Sequence, residues 1–158
     1  MYLEVTDSMT FYEILVFIHI FSAILGMGPG FVMTPIAKKA SNMTELRHAY
    51  ALRNKLHQFV MIGGTLLLVT GLWMGFLNTY LFQQGWFWIS LILFLLALVS
   101  GPTVLVSSSK PIKALLKEHK GEDIPAEYFI LSKRLFFYEH LINTLFLIII
   151  ALMITKPF

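Results

Sequence analysis

The sequence predicts an all-α integral membrane protein, a four-helix bundle that forms a single transmembrane domain over residues 1–158. Three observations predict it. The composition is 57% hydrophobic and only 13% charged, with a mean hydropathy of +0.73, about half the charged share of a soluble domain. Long stretches carry no charge at all. The charges that remain are gathered in two connections.

From Ile14 to Ala37 there is no Asp, Glu, Lys or Arg, and between Leu56 and Ser109 there is none either. Leu135 to Thr155 carries only Glu139 and His140. A spanning helix needs roughly 20 apolar residues, so these runs give spans at about 11–36, 57–80, 86–108 and 135–155. The long uncharged run must break once. It breaks at Asn78–Trp86, where polar residues, Gly85 and interfacial aromatics suit a short turn at the membrane surface.

The other two connections are basic. Ala37–Leu56 holds Lys38, Lys39, Arg47, Arg53 and Lys55, and Ser109–Arg134 holds Lys110, Lys113, Lys117, Lys120, Lys133 and Arg134. Of the 12 Lys and Arg, Lys156 alone lies elsewhere. The positive-inside rule then puts both basic loops in the cytoplasm and both termini outside, N-out/C-out. The net charge of +3 reflects topology, and no nucleic-acid partner is expected. Thr44–Lys55, capped by Ser41 or Asn42, reads as helix running into the second span. Pro111–Lys120 reads as a short amphipathic helix on the membrane surface, its lysines toward lipid head groups. Gly121–Pro125 reads as a turn.

Residues ahead of the first span include Glu4 and Asp7 but no Lys or Arg, the reverse of a signal peptide's basic start, so this span is expected to remain as an anchor. With no cysteine, thiolate metal sites, thiolate-ligated haem and disulfides are excluded. The length leaves room for one bundle and no separate soluble domain.

Against this apolar background three histidines stand out: His19, His57 and His140. Ionisable groups are expensive in hydrocarbon and mark functional positions, and a neutral imidazole suits haem iron or another transition metal inside a bundle. At 100° per residue, His19 shares a face with Tyr12, Ala23, Gly26 and Gly30. His57 aligns with Gly64, Gly71 and Gly75, and His140 with Lys133, Thr144, Leu147 and Ala151. Small residues allow close approach by a neighbouring helix or by a flat cofactor. Gly26, Gly64 and Gly71 are therefore candidate cofactor-binding positions, with Glu139 and Asn143 as supporting groups for His140. His48 and His119 fall in solvated basic loops and receive no role.

Helix rise places His57 near the inner surface, His140 about 9 Å deep and His19 about 25 Å deep. His57 and His140 could flank one iron. His19 lies about 16 Å from that level, so two sites are as admissible as one, and a kink at Gly28-Pro29-Gly30 would change the arithmetic.

At these residues a family resemblance enters. His19-Ile20-Phe21-Ser22-Ala23 with Gly26 and Pro35, Thr70-Gly71-Leu72-Trp73, and the ending Lys156-Pro157-Phe158 resemble the small bacterial four-helix membrane proteins related to HemJ-type protoporphyrinogen oxidase and the CopD membrane domain. A sister family of predicted integral membrane proteins is similar as well. The resemblance implies a multi-pass protein of the bacterial plasma membrane carrying haem b, with His19 matching the HemJ-type first-span histidine. Two departures are plain. Trp86–Leu91 lacks the lysine of the HemJ-type third span, and Arg134–His140 replaces its Arg-x-x-Asn-Glu-x-Pro-like motif. The resemblance therefore carries the bundle and a haem site further than it carries porphyrinogen oxidation.

The expected function is b-type haem binding through His19, His57 and His140, in redox chemistry or in haem and porphyrin handling, with a haem-dependent oxidoreductase among the options. The partners would be the lipid bilayer and a redox or haem-pathway membrane protein. Gly71-x-x-x-Gly75 also offers a homodimer seam. Two alternatives stay open: a proton- or metal-ion-conducting transporter, and a non-catalytic accessory subunit.

Overall fold

A computed structural model describes residues 2–157, with side chains from Phe11 onward, and in them every regular element is helical. Helix α1 runs Tyr2–Lys38 and α2 Met43–Leu77. A 3₁₀ turn, Thr79–Gln83, leads to α3 (Gly85–Ser100), which passes through a π-turn at Gly101–Leu105 into α4 (Val106–Glu118). Helix α5 is Ala126–Thr155. Four stretches are long and apolar enough to cross a membrane: Phe11–Lys38, Met43–Leu77, Gly85–Glu118 and Ala126–Thr155. The bundle's outside carries exposed Phe17, Ile24, Phe76, Ile92 and Leu96, the surface expected of a protein solvated by lipid.

The basic connections are largely helical extensions of the spans. Asn42 caps α2, its side chain accepting from the Glu45 N–H at 2.8 Å, while Glu45 takes the Ser41 N–H and hydroxyl, each at 2.8 Å. This reciprocal pattern satisfies donors that a helix start leaves free. Asn42→Ala should lower thermal stability by about 1 kcal/mol, measurable by circular dichroism in detergent; an unchanged melting curve would show that other contacts fix this helix start. The Met43 N–H also bonds the Glu122 carbonyl at 2.9 Å, and Arg47 closes the end of α4 through the carbonyls of Leu116 and His119.

Pro111–Lys120 does not form a separate surface helix. Pro102 has no N–H to give to the preceding turn, and the chain accommodates this by a π-turn in which the Val106 N–H returns to the Gly101 carbonyl. The helix thus continues to Glu118. Its apolar face is covered by protein: Ile112 and Leu116 enter a core with Met43, Leu46, Tyr50 and Tyr128, while Lys110, Lys113 and Lys117 stay exposed. A second core layer, with Met27, Leu67, Phe94, Ile142 and Phe146, lies within the spans.

Helix α1 packs along α2, and α3 along α5. The α1–α2 crossing is glycine on glycine: a methyl on Gly63 would lie 2.7 Å from the Gly26 Cα and 2.8 Å from the Leu25 carbonyl carbon. Pro29 gives no N–H to the Leu25 carbonyl, so the weakened turn of α1 falls at this contact.

The inward face of α5 differs from the one predicted. Lys133, His140, Thr144, Leu147 and Ala151 are all exposed, and Glu139, Ile142, Asn143, Phe146 and Ile149 are buried. Neighbouring residues on a helix point about 100° apart, so the partners that draw Glu139 inward turn His140 out. The glycines of Gly71-x-x-x-Gly75 are covered within the chain: a methyl on Gly71 would lie 3.1 Å from His19 Cε1, and one on Gly75 2.7 Å from Phe82 Cζ. That seam is an internal contact.

Candidate functional site

The eight predicted site residues divide among three cavities. His19 and Gly71 line a cavity of about 540 Å³ between the α1–α2 pair and the α3–α5 pair. His57, Gly26, Gly64, Glu139 and Asn143 line a much smaller one of about 80 Å³. His140 lines a third, of about 480 Å³, near the basic end. His19 shares its cavity with neither of the other histidines, and His57 and His140 are not brought together. Among the described residues no group of three or more His, Cys, Asp or Glu is placed to hold a metal ion.

The His19 cavity is walled almost wholly by apolar side chains, with Met27 and Met153 among them. The exposed Ile20 and Ile24 of α1 and Ile150 and Ile154 of α5 form its lips, so it opens sideways, toward the lipid. His19 Nδ1 lies 2.8 Å from the Thr70 hydroxyl oxygen, and that hydroxyl donates to the Leu66 carbonyl at 2.7 Å. Thr70 has one proton, already given to Leu66, so it accepts from an Nδ1–H. With the hydroxyl proton on the Leu66 carbonyl, the tautomer is the one in which Nε2 carries the lone pair. Ser90 is fully buried on the cavity wall with no hydrogen-bond partner for its hydroxyl. An orphan hydroxyl in an apolar wall calls for an explanation.

The second polar centre is a buried ion pair. Arg53 Nη2 meets Glu139 Oε1, and Arg53 Nη1 donates to the Met33 carbonyl at 2.5 Å. Thr34 donates to Glu139 Oε2 at 2.5 Å. Arg53 and Glu139 are each 7% exposed. The guanidinium carbon stands 5.0 Å from the Tyr50 ring centroid and 6.0 Å from that of Phe136, within cation–π range. Charge, hydrogen bonds and aromatic faces together satisfy both ions. The pair ties α1, α2 and α5 together just below the small cavity. Asn143 adds a clamp, donating to the Gly30 carbonyl at 3.0 Å.

Arg53 is thus a buried structural cation, although hydropathy alone leaves it in a solvated basic connection. A signal for it was available: it lies one turn before His57 and within about 40° of the glycine stripe on α2. Thr34, Thr70 and Ser90 carry no such signal, because isolated hydroxyls in apolar helices ordinarily bond their own backbone.

No curated protein and no solved structure matches the chain significantly. Residues 13–157, nearly the whole chain, match the family described as predicted integral membrane protein, DUF2269. An apolar chain with four membrane-length helices and its polar groups turned inward fits that description, and the protein belongs to this family of integral membrane proteins.

Proposed function

We propose that the protein binds haem b within the bilayer of the bacterial plasma membrane, with His19 as an axial ligand, and serves redox chemistry or haem handling. The observation that carries this reading is the His19–Thr70 pair at the wall of the large cavity. An iron-ligating histidine characteristically donates its other ring N–H to a fixed acceptor, which sets the tautomer and strengthens the ligand. Thr70 performs that task here.

The residues present fit the group. The cavity's 540 Å³ lies within the range of small-molecule sites, whereas the 80 Å³ beside His57 does not. Its walls are apolar, as a macrocycle requires, and the orphan Ser90 hydroxyl gives a donor with no protein acceptor. Met27, two turns beyond His19 on α1, and Met153 on α5 add soft thioether donors to the lining. Lys156, whose ammonium lies 5.8 Å from the Trp86 ring centroid, follows the lining residues Met153 and Ile154 and would be the cation to pair with a propionate. When bound, haem b supplies one-electron chemistry at iron, tuned by axial ligand and burial. The first-span resemblance to HemJ-type proteins supports the same histidine. The basic end would face the cytoplasm, and a redox or haem-pathway membrane protein would be the partner.

Spectra of protein expressed with ample haem test this. Wild type should show a Soret band, His19→Ala should lose most of it, and His57→Ala and His140→Ala should keep it. A wild type without pigment, or a His19→Ala protein with undiminished pigment, overturns the proposal.

A second reading, proton or metal-ion transport, draws on His57, Glu139 and Asn143 around the small cavity. Liposome flux abolished by His57→Ala, in a wild type without pigment, would select it.

A further inference from the structure

The cavity that holds His140 has a character unlike the other two. Lys38 from the end of α1 and Lys133 from α5 stand on it, with His140 two turns beyond Lys133 on the same helix. No carboxylate lines it. The nearest acid in sequence, Glu139, faces the other side of α5 and is neutralised by Arg53. The Lys38 ammonium sits 5.6 Å from the Phe136 ring centroid, which steadies a long side chain at the mouth of the cavity. All three basic groups are exposed, so none is consumed by an internal partner.

The rest of the wall is largely apolar, with Ser132 and the Tyr128 hydroxyl buried in it and two phenylalanines facing outward. Phe129 is 54% and Phe137 63% exposed, the first one turn before Lys133 on α5 and the second one turn after it. A cavity of about 480 Å³ exceeds what a free phosphate needs and leaves half of its wall unused by one. Lysines at the level of the membrane surface and the exposed Phe137 one turn deeper than Lys133 match a molecule with a charged head and a hydrocarbon body.

We infer that this cavity is a binding site for an acidic phospholipid of the adjoining leaflet. The phosphate sits between Lys38 and Lys133, the acyl chains descend past Phe137, and His140 donates to an ester or glycerol oxygen deeper in the bilayer. Basic pockets between membrane helices at the charged surface recognise anionic lipid in this way. The site stands on residues separate from the haem reading, and neither depends on the other.

Delipidated full-length protein in a neutral detergent, titrated with phosphatidylglycerol or phosphatidylcholine and read by native mass spectrometry, tests the inference. Wild type should prefer phosphatidylglycerol. The Lys38→Gln/Lys133→Gln double variant should bind it roughly 25-fold more weakly, about fivefold for each lysine near an anionic surface. Lys110→Gln/Lys117→Gln, which removes the same charge from exposed positions on α4, should stay within about twofold of wild type. Equal binding of the two lipids by wild type overturns the inference. So does equal loss in both double variants, which would mean general surface attraction. Glycerol phosphate bound as tightly as the whole lipid would overturn it too, since the acyl chains would then contribute nothing.

Discussion

Replacing Arg53 with alanine is expected to destabilise the bundle by about 3–5 kcal/mol, the size of effect seen when one member of a buried ion pair is removed. The loss follows from what remains. Glu139 would be left a buried anion with Thr34 as its one hydrogen-bond donor, and the Met33 carbonyl would lose its guanidinium. Glu139→Gln leaves the complementary problem, a buried cation whose partner is now neutral. The double variant Arg53→Leu/Glu139→Leu is expected to recover most of the stability, because apolar replacement of a whole buried pair is often neutral or better. Unfolding in mixed micelles, followed by circular dichroism, measures all three. A change below about 1 kcal/mol in Arg53→Ala would mean that water reaches the pair and screens it.

The second large effect is expected at two adjacent glycines with opposite outcomes. Gly63→Ala puts its methyl against the Gly26 Cα and the Leu25 carbonyl carbon, both backbone atoms that cannot rotate away. Helices α1 and α2 must separate, and overpacking of this kind costs about 1–3 kcal/mol, more for Gly63→Leu. At Gly64 the nearest atoms to a new methyl are Leu98 Cδ1 at 3.7 Å and Phe94 Cζ at 3.9 Å, ordinary contacts. Gly64→Ala should therefore be neutral or stabilising by about 0.5–1 kcal/mol through helix propensity. The same unfolding assay separates them. Equal effects at both positions would show that the crossing is looser than drawn.

The spans and their connecting turn could be read from the sequence because hydropathy and charge clustering act over twenty residues at a time. Rotation of a helix about its axis is a finer property. On α1 the stripe through Gly26 gave it, whereas on α2 the close approach to α1 is at Gly63, about 100° from the Gly64–Gly71–Gly75 stripe. Helix α5 is apolar nearly all round, so its phase rests on a few polar groups, and Glu139 and His140 compete for the interior. Which one wins depends on Arg53 and Thr34, far away in sequence on other helices. The His19–Thr70 contact was hidden for the same reason, as it joins two spans whose relative height no local pattern records. The third span, read as 86–108, already ran through Pro102, whose missing N–H a one-residue widening absorbs; its continuation past Ser108 was missed because Pro111 reads as the start of a separate helix, whereas it lies inside α4.

The pairing of α1 with α2, and of α3 with α5, sets an order of assembly. The glycine crossing, the His19–Thr70 bond and the Arg53–Met33 bond all lie within the first hairpin and can form as soon as it enters the bilayer. Glu139, Asn143 and Met153 come with α5, which follows the first hairpin in the chain. Until then the Arg53 guanidinium has no counter-ion, and His19 faces lipid across an unfinished wall. Docking of α5 completes the wall of the large cavity and supplies the counter-ion to Arg53 in one event. Because the finished cavity still opens sideways between exposed isoleucines of α1 and α5, an apolar guest can reach the centre from the bilayer both before and after the second pair docks.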